Sequence, residues 1–224
     1  MSAFVRLPLT LAAVAAAAAG ALALTYETSR EAIEEQKQAM EQKALAAIFR
    51  GGFARAPSRT VTLEAGEAVK LYEVFLAEGD AMPSGYAVAA EGQGYNSGVP
   101  IELLVGFVRA DDGDGWIVKG WDVVRSEETP GLGEKIKDRK AAATWLEGGP
   151  FAEPPADFDP RTHFQRQFAG RDPEQLGLKK DGYAQGLDAI TAATITSRGV
   201  VQAVRNAHRK LTAALAQRTV RNKP

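Results

Sequence analysis

An uninterrupted apolar run over residues 7–24, directly after Arg6, is the strongest pattern in the chain. As a helix it would measure about 27 Å at about 1.5 Å per residue, close to the thickness of a hydrocarbon core, so a membrane-spanning helix is predicted. The run is rich in alanine and contains Pro8, Thr10 and Gly20. That composition favours insertion less strongly than leucine does. A cleaved signal peptide is the alternative, because Ala21, Leu22 and Ala23 resemble a cleavage site. The run is longer than an ordinary signal core, and a second helical pattern follows at once, which favours a retained anchor. Over residues 28–49, Thr28 and Glu31 have capping-box spacing, and Ile33, Met40, Ala44 and Ile48 form a thin apolar stripe. A juxtamembrane stalk is predicted, with a helix packed on its own domain as the other reading. Gly51, Gly52 and the residues up to Ser58 interrupt the periodicity and mark a boundary.

Beyond the boundary the period changes to two. Residues 69–77, 85–91, 101–109 and 116–125 have strand character with turn-rich spacers, which predicts an antiparallel meander. Between the last two strands, residues 111–115 read Asp-Asp-Gly-Asp-Gly, a hairpin turn. They lack the full pattern and distal glutamate of a calcium loop. A helix is predicted over 134–146, a proline-rich loop over 148–160, a short helix over 163–168 and an extended piece over 176–180. The final helix, expected over 197–217, carries Val200, Val204, Ala207, Leu211 and Leu215 on one face. The predicted class is α+β: an N-terminal transmembrane helix, then a single domain with an antiparallel sheet and flanking helices. Its expected divisions are a cytoplasmic N-terminus (1–6), the span (7–24), a juxtamembrane helix and linker (25–58), and an extracytoplasmic domain (59–224). Met1 and Arg6 precede the span and mixed charge follows it, which orients the N-terminus inward.

Composition narrows the chemistry. The chain has 224 residues, a formal net charge of −1 and no cysteine. Disulfides, thiolate iron–sulfur ligation and a cysteine nucleophile are therefore excluded within it. With two histidines, His163 and His208, no multi-histidine metal site is expected, and both are expected on helix surfaces. Redox chemistry in this chain would have to come from a bound organic cofactor. The last helix has a basic face of Arg205, Arg209, Lys210, Arg218, Arg221 and Lys223, with no acid after Asp188. A solvated face that complements the helix C-terminus accounts for it. Nucleic acid is not an expected partner, given the anchor, the balanced charge and the lack of a binding motif.

Two short segments carry candidate chemistry. Residues 188–197 read Asp-Ala-Ile-Thr-Ala-Ala-Thr-Ile-Thr-Ser. Thr194 offers a hydroxyl with the small neighbours Ala192 and Ala193, just before a helix whose first-turn N–H groups would face an anion. Arg198 adds a positive charge. The segment is also readable as a plain small-residue turn, with Thr196 or Ser197 as helix cap. The second segment runs from Ser126 through Glu127, Glu128, Thr129, Pro130, Gly131, Leu132 and Gly133 to Ile136. Its proline and paired glycines describe a rigid turn with exposed backbone amides, suited to a flat ring.

The first segment resembles the pattern D-x-x-[ST]-G-A-[ST] of FMN-binding subunits in the Rnf and Nqr electron-transport complexes, with Ala192 in place of the usual glycine. The second resembles their S-E-T-P-G-L-G element. Together with the anchor and the run Gly92, Gln93, Gly94, Tyr95, these segments make the chain similar to the G subunits of Rnf-type complexes. The resemblance implies FMN joined by a phosphoester to Thr194. It also implies ring contacts from Glu128, Thr129, Leu132 and Gly133, and an attachment loop shaped by Thr191, Ala193, Ile195 and Thr196. Lys179 and Lys180 precede the acceptor loop and are candidates for the pyrimidine edge, with a solvated surface pair as the other reading, and Asp188 is assigned to recognition by a flavin transferase. Such a subunit would be single-pass in the inner membrane, with its domain on the periplasmic side. It would relay electrons among membrane subunits of a complex that couples transfer between ferredoxin and NAD to ion movement. The ferredoxin and NAD sites would lie on other subunits, so this chain is expected to be a carrier rather than a stand-alone enzyme. The C subunit of a sodium-pumping NADH:quinone oxidoreductase is the related alternative. From other classes, a flavin-free anchored adaptor and a self-sufficient flavoenzyme remain. The latter is disfavoured by the lack of an acid/base constellation.

Overall fold

The computed structural model describes residues 3–50, 52–53, 55–63, 66–110, 113, 115–139 and 159–221. Two compact units divide the chain, Met1–Gln42 and Lys43–Pro224. Helix α1, Ala3–Ile48, runs through the first unit and ends in the second. Thr28 does not cap a new helix. Its hydroxyl donates to the carbonyls of Leu24 (3.1 Å) and Thr25 (3.0 Å), as a threonine inside a continuous helix does. Anchor and stalk are therefore one 46-residue element. Among the described residues it is the one helix long and apolar enough to cross a membrane.

The second unit is built on a five-stranded antiparallel sheet in sequential order: β1 Ser58–Thr62, β2 Ala68–Val74, β3 Gly85–Gly92, β4 Ile101–Arg109 and β5 Trp116–Arg125. Four strands follow the predicted meander. The fifth, β1, escaped prediction because Ser-Arg-Thr-Val-Thr is almost wholly exposed and gains its identity only by pairing with β2. Both faces of the sheet are covered, so the strands alternate between two cores rather than between core and water. On one face, Leu71, Val88, Leu103, Val105 and Phe107 pack against α3, Thr194–Arg221, through Val200, Val204, Ala207 and Leu211. On the other, Tyr72, Val74, Ala87 and Leu104 receive Ala44, Leu45, Ile48 and Phe49 from the end of α1.

That second contact depends on small residues. Ala87, Gly106 and Gly120 lie in register across β3, β4 and β5. A Cβ on Gly106 would overlap the Ile48 side chain, and one on Gly85 would sit 3.0 Å from the Phe49 ring. The strands thus form a trough for the helix end. Arg50 closes it with an ion pair to Asp159 (2.7 Å), which also binds Arg161. Burial opposes ionisation of Asp159, but bonds from the Arg161 side chain and backbone and the charges of Arg161 and Arg50 outweigh it, holding the pKa at about 2.

The connection to α3 differs from prediction in its details. Instead of a helix over 134–146, a 3-10 turn spans Gly133–Lys137 and stops at Asp138, whose backbone is extended. The remainder of that predicted helix and most of the 148–160 loop lie outside the described residues, as do the three aspartates of the 111–115 turn. Helix α2, His163–Arg166, has a full capping box between Thr162 and Gln165. The predicted extended piece over 176–180 gives way at Lys179 to another 3-10 turn, Lys179–Asp181. His208 is the clearest correction at residue level: only 8% exposed, it packs against Phe107 rather than facing solvent. Burial lowers its pKa against the opposing pull of Glu174 and Asp172.

Candidate functional site

The acceptor segment leads into α3 through a left-handed residue. Ala192 has φ 62°, the one non-glycine residue among those described with positive φ. An alanine there is disfavoured by about 1 kcal/mol relative to glycine, so the surroundings must hold the turn in place. They do so with polar bonds. Gln167 accepts from the Asp188 N–H (2.7 Å) and donates to the Asp188 carbonyl (3.1 Å). Ser197 accepts from the Ile190 N–H (3.0 Å) and donates to the Ala193 carbonyl (2.9 Å). Ser197 is therefore a buried tie inside the first turn, not its cap. The helix starts at Thr194, three residues earlier than predicted.

Thr194 is half-buried, and Lys180 donates to its hydroxyl oxygen at 3.3 Å. The whole 3-10 turn Lys179–Asp181 faces this segment. Lys179 pairs with Asp188 (2.9 Å), Lys180 reaches Thr194, and Asp181 accepts from both the Nε (3.0 Å) and a terminal nitrogen (2.5 Å) of Arg198. The Arg198 bond and charge depress the Asp181 pKa, and the reciprocal interaction raises that of Arg198. Arg198 is thus committed to a carboxylate, while Lys180 is the cation aimed at the candidate acceptor. Nothing in the sequence pattern marked Asp181 or Gln167, because their roles arise from contacts across the fold.

The turn of residues 126–133 comes up against the same end of α3. Glu128 is 5% exposed and Thr196 1% exposed, and the Thr196 hydroxyl donates to the Glu128 carboxylate. A Cβ on Gly133 would lie 2.6 Å from both the Glu128 and Thr196 oxygens. The two sequence segments therefore form one site. Around it, Leu132 (42%) and Ile195 (48%) are exposed, as are Thr129, Pro130, Gly131 and Thr191, while Ala193 is buried. The Thr129 carbonyl accepts from the N–H groups of Leu132 and Glu134 (both 3.2 Å), and Gly131 takes φ 72°, so the turn is fixed with its apolar tip outward.

The described donor set suits a phosphorylated flat ring: a hydroxyl and an ammonium at a helix start, with two aliphatic side chains unpacked beside them. No group of three or more metal-ligating side chains occurs among the described residues.

Residues 94–209 match the family model of the FMN-binding domain, and residues 3–48 that of the RnfG N-terminal region. The chain belongs to the family of G subunits of ion-translocating oxidoreductase complexes. Its similarity to the G subunit of the Escherichia coli K12 complex is 32% identity over 206 residues, covering 89% of this chain and 86% of that one. The G subunit from Vibrio cholerae El Tor Inaba N16961 is 31% identical over 204 residues, and that from Yersinia pestis 33% over 205, with the same coverage. The FMN-binding match spans both motif segments and α3 as far as Arg209, including Val200, Val204 and Ala207 of its sheet-facing side. Membership and the apolar helix together support a membrane-anchored flavoprotein.

Proposed function

We propose that this chain is the anchored electron-carrying flavoprotein of an Rnf-type complex, with FMN attached covalently through a phosphoester to Thr194. The observation that carries the attachment site is the Lys180 ammonium 3.3 Å from the Thr194 hydroxyl at the first residue of α3. An ammonium and the positive end of α3 favour a phosphoryl group bonded to that oxygen. In the attachment step, catalysed by a flavin transferase, the Thr194 oxygen attacks the flavin phosphoryl group of an activated dinucleotide donor. The new P–O bond forms as the nucleoside monophosphate leaves, and the hydroxyl proton is released. Asp188, exposed beside Lys179, is the proposed feature for transferase recognition.

FMN supplies the electron-transfer chemistry, and the chain supplies attachment, orientation and local charge. Leu132 and Ile195 offer apolar contact to the ring, with Thr129 and the exposed 129–132 backbone at its polar edge. Thr191, Ala193 and Thr196 shape the loop. Gly133 permits the close approach of the two segments. Residues 7–24 are proposed to span the inner membrane, with the N-terminus cytoplasmic and the flavin domain periplasmic. The electron partners are then other membrane subunits of the complex.

Intact mass and in-gel flavin fluorescence, for wild type and Thr194→Val coexpressed with an active flavin transferase, test the reading. One FMN-phosphoester increment in the wild type, absent from Thr194→Val, is expected. An unmodified wild type would instead leave the chain as a flavin-free adaptor.

A further inference from the structure

Glu128 joins its own turn to two segments distant in sequence, and each hydrogen bond to its carboxylate comes from a donor in one of them. One oxygen accepts from the Asn96 N–H (3.2 Å), and the other from the Tyr95 N–H (3.2 Å) and the Thr196 hydroxyl. The next peptide reinforces the join, since the Asn96 side-chain amide donates to the Glu127 carbonyl (3.0 Å). No lysine, arginine or histidine among the described residues pairs with Glu128. The carboxylate is held by dipoles alone, a setting in which each lost hydrogen bond leaves a buried group unsatisfied.

The surrounding glycines show how tightly the three segments meet. A Cβ on Gly94 would overlap a Glu128 oxygen, and one on Gly133 would lie 2.6 Å from the other. One turn further along α3, a Cβ on Gly92 would overlap the Gly199 carbonyl, and one on Gly199 would lie 2.5 Å from the Gln93 carbonyl. The end of β3 and the start of α3 are therefore in backbone contact, and the 126–133 turn joins both through Glu128, the polar pin.

We propose that Glu128 is a positioning residue: its buried carboxylate locks the 92–96 loop to the first turn of α3, setting the Thr194 hydroxyl for attachment and placing a fixed negative charge beside the attached flavin. The inference rests on the attachment reading above and deepens it. It places the carboxylate behind the ring-binding surface, because both oxygens are already engaged within the chain. Thr196, two residues after the acceptor, is the link through which Glu128 acts.

Glu128→Gln preserves shape while removing the charge. Either orientation of the amide turns an NH2 group toward at least one backbone N–H, because Tyr95 and Asn96 donate to different oxygens. The test uses the full chain coexpressed with a flavin transferase, as wild type, Glu128→Gln, Thr196→Val, Thr196→Ser and the double variant Glu128→Gln/Thr196→Val. Attachment rate by intact mass and the midpoint potential of the attached flavin are read alongside thermal unfolding. Glu128→Gln and Thr196→Val are expected to slow attachment roughly tenfold, the size expected for one disrupted buried bond. Thr196→Ser, which keeps the hydroxyl, should retain the wild-type rate. The double variant should be no worse than the poorer single one, since the two groups act as one. Loss of the negative charge should move the potential of Glu128→Gln positive, because reduced flavin no longer meets that charge.

Lowered melting temperatures with unchanged attachment rate and potential would make Glu128 a fold residue only and overturn the proposal. An unmodified wild type, with the transferase active on a control substrate, would instead sink the attachment reading and this proposal with it. Flavinylated wild type and equally flavinylated Glu128→Gln of identical potential would overturn the positioning role alone.

Discussion

The two faces of the sheet are closed by different means. Where the end of α1 lands, the strands supply Gly85, Gly106 and Gly120, apolar side chains fill the trough, and the Arg50–Asp159–Arg161 ion pairs close it. At the opposite face, the start of α3 is held by ties: Gln167 on Asp188, Ser197 on Ile190, Glu128 on Thr196, Asp181 on Arg198. The first arrangement buries its large side chains. The second leaves Leu132 and Ile195 exposed and keeps Ala192 in a left-handed conformation. Packing suffices where the goal is a joint. Polar ties are needed where a surface must stay open and yet remain rigid.

The sharpest break in the comparison is Thr194→Val, expected to abolish covalent flavin by mass and fluorescence without lowering the melting temperature appreciably. Next come matched glycine substitutions. Gly92→Ala drives a Cβ into the Gly199 backbone, which cannot yield, and should destabilise by on the order of 3 kcal/mol while impairing attachment. Gly106→Ala overlaps the buried Ile48 side chain, which must move with the helix end, so urea unfolding should show a loss of about 2 kcal/mol and mass spectrometry normal attachment to the folded chain. Equal penalties at the two positions would erase the distinction between the faces.

Two smaller effects refine it. Ala192→Gly relieves the φ of 62° and should stabilise by about 0.5 kcal/mol in urea unfolding, a gain that a relaxed backbone would not show. The Asp159 pair on the α1 side titrates. Its folded pKa, about 2, lies below the unfolded value, so its contribution is complete above the ordinary aspartate range and is lost as pH falls through about 2. Because the groups are partly solvated, the effect is on the order of 1 kcal/mol, and Asp159→Asn should remove it. Unfolding free energies of the two proteins that converge toward pH 2 and diverge above about pH 4 would show it.

Legibility followed the kind of force involved. The meander was readable from alternation, and the core face of α3 from its period of Val200, Val204, Ala207 and Leu211, all fully buried. The exposed strand β1 was not, since pairing alone defines it. Thr28 looked like a cap, but the helix continues through it because no breaker precedes it. Thr194 was legible as a hydroxyl near a helix start, whereas its place as the first helical residue was hidden by the competing hydroxyls of Thr196 and Ser197. His208 escaped because a lone histidine carries no apolar signal of its own, although Val204, Ala207 and Leu211 flank it on the core face; Phe107 packs against its ring and Glu174 lies 3.8 Å from it.

By itself, the sequence determined the class of the fold, the apolar N-terminal helix, the exclusion of thiol chemistry and the two segments that meet at the site. These are properties of local periodicity and composition, which need no knowledge of what lies across the chain. Tertiary structure decided which polar group serves which neighbour: Lys180 on Thr194, Arg198 on Asp181, Glu128 on three donors from two distant segments. Hydrogen bonds act over about 3 Å and depend on direction, so their pairing exists only once the backbone has brought donor and acceptor together.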